Sequence, residues 1–169
     1  YPNKPIRLVV SFPPGSGTDS TARYVARKLE EKTGQSVVVE NRPGGNSFIA
    51  VQTVTRAEPD GYTLLLASNS PVATNVAMFR QLPYDPVAEL APIARLGVGA
   101  MALVVNPASR FHTVAELVAH ARQQPGKLNY GAGSASYQIA TELFLTQGQI
   151  KANHVPYKGA APALTDVAA

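Results

Sequence analysis

Short apolar runs alternate with helical patterns along the first part of the chain. The run from Ile6 to Val10 is mostly apolar and bounded by polar positions, which is typical of a buried strand. Apolar residues then recur at helical spacing as far as Thr33, and Gly34 follows as a stop signal. The predicted elements are a strand over 6–10, a helix over 18–33, a strand over 36–40, a helix over 49–57 and a strand over 62–67. This alternation predicts an α/β fold with a mostly parallel sheet flanked by helices.

The pattern breaks at Pro83-Tyr84-Asp85-Pro86 and restarts only after Asn106-Pro107. Two short apolar runs lie between these points. Because strands and helices alternate again beyond them, the chain is expected to form two lobes, a first over residues 1–105 and a second over residues 106–169.

The second lobe repeats the architecture of the first. Thr113 and Glu116 form a capping box that opens a helix, and a short strand over 128–130 leads into the Gly/Ser-rich loop 131–136. A last helix is predicted over 160–169. So short a lobe buries little surface, which predicts that its sheet is incomplete and that the chain is a fragment.

The loop after the first strand, Ser11 to Ser20, reads SFPPGSGTDS and invites comparison with a nucleotide-binding P-loop. A P-loop has Gly, four residues, then Gly-Lys-Ser/Thr. Here Phe12 stands at the first Gly, Thr18 at the Lys and Asp19 at the metal-binding hydroxyl. The turn keeps an anion cradle without its cation, which favours a small carboxylate over a triphosphate. A plain strand-to-helix turn capped by Thr18 is the alternative.

Composition narrows the classes of function. Hydrophobic residues make up 45% of the chain and charged residues 15%, so a packed core is expected. The net charge of +4 comes from scattered Lys and Arg, which argues against nucleic-acid binding. The absence of cysteine excludes a disulfide scaffold, a thiolate metal site and a Cys nucleophile. No apolar run is long enough to span a membrane, and the residues from Tyr1 onward carry no signal-peptide core.

Candidate catalytic residues find little support in the sequence. The three histidines are not at metal-ligand spacing. The segment Gly131 to Ala135 lacks the second Gly of a nucleophile elbow, so Ser134 is expected to donate to an anion rather than to attack a substrate. Asp19 is interpreted as a first-turn partner of the helix dipole. Tyr157-Lys158-Gly159 either lines a site or packs at a strand end. No metal and no cofactor are expected.

These residues together resemble the substrate-binding receptors of tripartite tricarboxylate transporters, the Bug (Bordetella uptake gene) family. The resemblance covers the whole chain. It rests on seven stretches in the same order: YPNKPIRLVVSFPPGSGTD, VVVENRPGG, EPDGYTLLLASNS, LPYDP, LVVNP, PGKLNYGAGS and HVPYKGAAPALTD.

The resemblance implies a two-lobed periplasmic binding protein of type II-like fold, with mostly parallel sheets flanked by helices and a second lobe that is incomplete in this chain. It implies that a small carboxylate is gripped between the lobes by backbone amides, hydroxyls and water. The ligand-binding residues carried over are Pro14, Gly15, Ser16, Gly17 and Thr18 in the first loop, Gly133, Ser134 and Ser136 in the second, and Ser68, Asn69, Tyr157, Lys158 and Gly159 as walls.

The resemblance also implies a periplasmic location with the signal peptide removed, and the membrane components of a tripartite tricarboxylate transporter as partners. Three departures from the family pattern stand out: Ser16 replaces a Gly, residues 45–50 differ from the usual loop, and Gln138 stands where many members carry His. Two alternatives are a serine hydrolase using Ser134 or Ser16, and a fragment that serves only folding or interaction.

Overall fold

The computed structural model describes all 169 residues of the chain. Five strands and six α-helices are the main elements, and a 3₁₀ turn over Gly45–Ser47 and a π-helical turn over Ser70–Thr74 connect some of them. In chain order they are β1 (Ile6–Val10), α1 (Gly17–Thr33), β2 (Val37–Asn41), α2 (Phe48–Thr55), β3 (Thr63–Leu66), α3 (Asn75–Met78), α4 (Val114–Gln123), β4 (Leu128–Ala132), α5 (Ala135–Gly148), β5 (Ala152–Pro156) and α6 (Ala160–Ala168).

The chain divides into two compact units, Tyr1–Ile93 and Ala94–Ala169. The boundary expected from the sequence, between residues 105 and 106, therefore falls inside the second unit. Each unit has its own parallel sheet and its own helices. The α/β class with parallel sheets flanked by helices, predicted from the alternating pattern, is confirmed.

The first unit is built on a three-stranded parallel sheet in the order β2-β1-β3. Four of the five residues of its central strand β1 are large and aliphatic, the exception being the exposed Arg7, and Val9 and Val10 are fully buried. On one face Leu8 and Val10 pack in a cluster with Ala22 and Ala26 of α1, while α2 contacts β1 and β3. Each aliphatic side chain buried in this way contributes about 1.5–3 kcal/mol relative to its exposed state.

The second unit contains a two-stranded parallel sheet of β4 and β5. A smaller core of Ala121, Leu145 and Ile150 holds α4 and α5 on this sheet, and partly buried Val118 and Phe144 pack around it. The capping box predicted at the start of α4 is present: the Thr113 hydroxyl accepts the Glu116 N–H, and the Glu116 carboxylate accepts the Thr113 N–H.

The segment between α3 and α4 forms no helix or strand apart from turns. Tyr84 is buried, but from residue 93 to residue 105 the apolar side chains are exposed, with Ile93 81% and Val98 85% accessible, and no strand of either sheet pairs with the segment. No helix of the molecule combines the length and the apolar character that crossing a membrane requires.

Candidate functional site

The parallel register places two polar loops at one edge of the first sheet. Val10 lies opposite Leu66, so β1 and β3 end side by side. The segment of residues 11–18, here called the first turn, follows β1 and includes the first two residues of α1, and Ser68 with Asn69 follows β3. The structure therefore brings together the residues of the first unit that the sequence assigned to ligand binding. The carboxyl edge of a parallel sheet is where ligands of α/β proteins usually bind.

The first turn ends in a well-formed helix N-terminus. Ser16 is the N-cap of α1, and its hydroxyl accepts the Asp19 N–H at 3.2 Å. The alternative in which Thr18 caps the helix is therefore wrong: α1 already includes Gly17 and Thr18, and its cap is Ser16, two residues before Thr18, which has the extended cap conformation. The amides of Gly17 and Thr18 are the first two of α1 and have no acceptor within the helix.

The other predicted residues of the first turn contribute differently. The Ser16 amide donates to the Pro13 carbonyl at 3.3 Å, and the Gly15 amide donates to the Asp19 carboxylate at 2.9 Å. Pro14 is exposed and, being proline, has no N–H to offer. Free donors in the first turn region are thus concentrated on Gly17 and Thr18.

Asp19 joins the first turn, α1 and the end of β2. Only 3% of the residue is exposed. One carboxylate oxygen accepts the Gly15 amide and the Arg23 Nε, at 2.9 and 3.0 Å, and the other accepts the Asn41 Nδ2 at 2.9 Å. Asn41 also donates to the Phe12 carbonyl at 2.9 Å. The sequence predicted only a favourable interaction of Asp19 with the helix dipole. In the structure its carboxylate also holds the first turn, α1 and β2 together by hydrogen bonds.

The environment keeps Asp19 ionised. The pKa of its carboxyl is lowered from 3.8 to about 2, first by the hydrogen bond from Arg23 and then by those from Gly15 and Asn41, against the opposing effect of burial. A cation and two dipoles outweigh desolvation here.

Ser11 is a second buried polar group at this edge. It follows β1 directly, is 3% exposed, and its hydroxyl has no hydrogen-bond partner within the protein. Buried hydroxyls are nearly always bonded, so this one has capacity for a water or a ligand oxygen. Nothing in the sequence marks Ser11 as a functional residue, because a serine after a strand carries no signal by itself.

The π-helical turn after Ser68 and Asn69 is held by Tyr84, whose hydroxyl also accepts the buried Asn75 Nδ2 at 3.3 Å. The Ser68 hydroxyl accepts the Ser70 amide at 3.2 Å, and Asn69 is exposed. Asn75 is fully buried and donates to the Asn46 carbonyl at 2.8 Å, while the Tyr84 hydroxyl donates to the Pro71 carbonyl at 2.7 Å. Tyr84 belongs to the LPYDP stretch, which thus fixes the loops at the ends of β2 and β3.

The second unit repeats the strand, turn and helix arrangement. Gly133 and Ser134, here called the second turn, connect β4 to α5, and Ser134 caps the helix by accepting the Tyr137 amide at 3.4 Å. Ser136, in the first helical turn, is 7% exposed. Because β4 and β5 are parallel, Tyr157, Lys158 and Gly159 after β5 lie at the same edge of their sheet.

Glycine allows the two loops of the second unit to touch. A Cβ built on Gly133 would lie 2.2 Å from the Gly159 carbonyl carbon. Next to this contact, the Tyr157 hydroxyl donates to the Asp166 carboxylate at 2.6 Å, and that bond raises the tyrosine pKa. Of the six predicted residues of this unit, Gly133, Ser136 and Gly159 are buried, Ser134 and Tyr157 are partly exposed, and Lys158 is exposed.

Neither candidate nucleophile is arranged as in a serine hydrolase. The hydroxyls of Ser16 and Ser134 both accept helix amides, and no histidine is hydrogen-bonded to either. No group of three or more His, Cys, Asp or Glu side chains is positioned to hold a metal ion.

Comparison with known proteins identifies the class of protein. Residues 21–169 match the tripartite tricarboxylate transporter family receptor, TctC. The chain belongs to this family, as the resemblance implied. Among curated relatives it is 36% identical to Protein BugT of Bordetella pertussis, over 99% of this chain and 52% of that protein. The chain thus spans about half the length of the curated relatives it matches.

Solved structures show the same fold. The chain is 34% identical to the structure described as R. palustris Rpa4515 with adipate, with a TM-score of 0.87 over 99% of this chain and 56% of that one. It is 27% identical to the periplasmic binding protein BugD, with a TM-score of 0.83 over 99% of this chain and 56% of that one. The relatives identified are therefore solute-binding receptors, and the fold is that of periplasmic binding proteins.

Proposed function

We propose that the chain works in a periplasmic receptor that captures a small carboxylate and delivers it to the membrane components of a tripartite tricarboxylate transporter. One observation carries the proposal: the amides of Gly17 and Thr18 point from the start of a 17-residue helix with no acceptor of their own. Family membership and the adipate bound to a 34% identical relative support it.

The chemistry of this helix start suits a carboxylate. Two adjacent amides match its two oxygens, and the positive end of the helix dipole adds to the attraction. A hydrogen bond to a charged group contributes about 1.5–3 kcal/mol, so two such bonds contribute about 3–6 kcal/mol, which corresponds to a Kd between roughly tens of micromolar and several millimolar. The unpartnered hydroxyl of Ser11 provides a further contact for a ligand oxygen or for a bridging water.

We place the second turn on the same ligand. Gly133, Ser134 and Ser136 would hold it from the other lobe, with Ser68, Asn69 and Tyr157 to Gly159 as walls. Binding across the two lobes would stabilise a closed arrangement through the ligand's higher affinity for that state. The proposal assigns no catalysis and no cofactor to these residues.

A ligand screen tests the receptor function. Thermal unfolding of the complete receptor is measured with adipate, malate, citrate, an aromatic acid and an amino acid, each at millimolar concentration. Ligand at one hundred times its Kd stabilises by about 2.7 kcal/mol, which gives a clear shift in Tm. Adipamide, which has the length of adipate without its charge, is the control and should give no shift. No shift with any carboxylate contradicts the proposal.

A pair of variants tests the helix start. Gly17→Pro removes one amide, and proline is well tolerated at the first helical position because Ser16 already has φ −73° and ψ 160°. Gly17→Ala keeps the amide and adds a side chain. We expect Kd by calorimetry to rise about tenfold or more in Gly17→Pro relative to Gly17→Ala, as one charged hydrogen bond is lost. Equal affinities would exclude α1 as the carboxylate site.

A further inference from the structure

An acidic side chain lies inside a turn that is built to attract anions. Asp19 occupies the third position of α1 and is buried, and its carboxylate accepts a hydrogen bond from the Gly15 amide at 2.9 Å. A carboxylate from the chain thus uses one of the donors that a Gly-rich turn would otherwise present to a ligand. The amides left over, those of Gly17 and Thr18, are enough for one carboxylate group.

The charge of Asp19 is only partly balanced by the surrounding residues. Arg23, one helical turn later, donates from Nε at 3.0 Å, but its side chain is 56% exposed while that of Asp19 is 4% exposed. The anion is therefore buried in the protein, and its cation is screened by water. A bound anion at the start of α1 is attracted by the helix dipole and repelled by this fixed charge, and the repulsion grows with the charge of the ligand.

We propose that Asp19 is a specificity-determining residue that sets the charge selectivity of the first turn: it admits a singly charged carboxylate group and disfavours a compact dianion such as sulfate or phosphate. The inference rests on the proposed function, which places a carboxylate at this turn. Asp19 leaves only the Gly17 and Thr18 amides for the ligand, and its negative charge repels a ligand of high charge. Arg23 partly offsets that negative charge. The turn differs from a P-loop in charge as well as in the missing Lys.

The competing explanation is that Asp19 only holds the turn in shape. Its bonds to Gly15 and Asn41 clearly serve that purpose. A purely structural residue would change affinity for all anions alike when replaced. A residue that sets selectivity changes the ratio of affinities between anions that place different charge at the turn: sulfate brings two negative charges there, whereas adipate brings one carboxylate group and carries its second charge at the far end of the molecule.

The test uses two variants with opposite charge changes in the complete receptor. Asp19→Asn removes the negative charge, and Arg23→Gln removes the positive one. Kd values for sulfate and adipate are measured by calorimetry at low salt. We expect the affinity for sulfate relative to adipate to rise about tenfold in Asp19→Asn and to fall by a similar factor in Arg23→Gln, as a unit charge nearby requires.

A matched ion pair elsewhere in the same unit supplies the controls. Lys4 and Asp60 are 2.8 Å apart at the surface, so Asp60→Asn and Lys4→Gln change net charge by the same amounts without touching the turn. Both should leave the sulfate to adipate ratio within about twofold of the wild type, because exposed charges farther away are screened.

The outcomes separate two kinds of failure. An unchanged ratio, or a ratio that moves in the same direction in both turn variants, overturns the role of Asp19 in selectivity. If Asp19→Asn fails to fold, Arg23→Gln alone decides, since a normal ratio in that variant also overturns the inference. A wild-type receptor that binds neither adipate nor any other carboxylate refutes the proposed function instead.

Discussion

The first and second turns have the same plan but are fixed in different ways. Each follows a parallel strand, each opens a helix, and each places a serine at the N-cap. In the first turn the buried carboxylate of Asp19 fixes the backbone by accepting hydrogen bonds. In the second, two glycines pack backbone against backbone. Both turns therefore expose the first amides of a helix. The first turn is held in this geometry by hydrogen bonds, and the second by close packing of backbone.

The difference is visible at the glycines themselves. A Cβ added to Gly15 or Gly17 would meet nothing within 4 Å, whereas one added to Gly133 would overlap the Gly159 backbone. The first turn is open and charged, and the second is closed and neutral. Substitutions should therefore have effects of different size and different pH dependence in the two places.

The largest effect is expected for Gly133→Ala. The new methyl would lie 2.2 Å from the Gly159 carbonyl carbon and 2.3 Å from its oxygen, and backbone cannot move aside cheaply. We expect a loss of about 3 kcal/mol or more in the free energy of unfolding, as for severe overpacking. Urea denaturation followed by circular dichroism measures it.

Gly131→Ala is the matched control for that prediction. Its Cβ would lie 2.9 Å from the ring edge of Tyr157 and 3.3 Å from the Cβ of Ala163, and these side-chain atoms give way more easily than the backbone that a methyl group on Gly133 would meet. The cost should stay near 1 kcal/mol. Similar losses in the two variants would show that the second turn is not held by the contact of its two glycines.

The sequence predicted the strands and helices well because these depend on local pattern. The strand Ile6–Val10 was predicted with its observed bounds, since the apolar run is sharply delimited. The N-cap was missed because Ser16 and Thr18 are equally good caps, and only the backbone angles distinguish them. The two compact units divide after Ile93, twelve residues before the lobe boundary expected from the sequence, in an apolar segment that pairs with no strand.

The sequence predicted which loops form the candidate site, but it did not predict the hydrogen bonds between them. Asn41 is 22 residues from Asp19 in sequence, and nothing local indicates that they meet. The meeting follows from the sheet register, in which Val10 lies opposite Asn41 and so brings the end of β2 next to the first turn. Ser11 and Asn75 were missed for the same reason: burial of a small polar residue is a tertiary property.

An intermediate effect is expected for Asp19→Ala, with a pH dependence that the second turn cannot show. The change leaves the Gly15 amide without its acceptor and removes one of the two acceptors of the Asn41 Nδ2, which keeps only the Phe12 carbonyl; this costs about 1–3 kcal/mol. The folded-state pKa of about 2 lies below the model-compound value of 3.8. The stabilisation by the ionised group is therefore complete above about pH 4 and is lost as the pH falls towards 2.

Urea midpoints of wild type and Asp19→Ala at pH 7, 4 and about 2.5 test this window. The difference in urea midpoint between wild type and Asp19→Ala should be unchanged from about pH 7 to about pH 4.5 and should shrink below about pH 4. Gly133→Ala provides the contrast, because a steric clash does not titrate and its cost should stay constant. A difference for Asp19→Ala that is constant down to the lowest pH would contradict the role of its charge in holding the first turn.

The smallest effects on the free energy of unfolding are expected for alanine substitutions at Gly15 and Gly17 in the first turn. Comparing the two shows whether backbone conformation or steric space requires glycine there. Gly15 has φ +82°, which alanine adopts at a cost of about 1–2 kcal/mol, whereas Gly17 begins a helix, where alanine is favoured. Both positions have open space for a methyl group. Gly15→Ala should thus lower the free energy of unfolding by about 1 kcal/mol, and Gly17→Ala should leave it within about 0.5 kcal/mol. Equal values in urea denaturation would mean that the turn relaxes around Gly15, so that the bond from its amide to Asp19 does not fix the backbone.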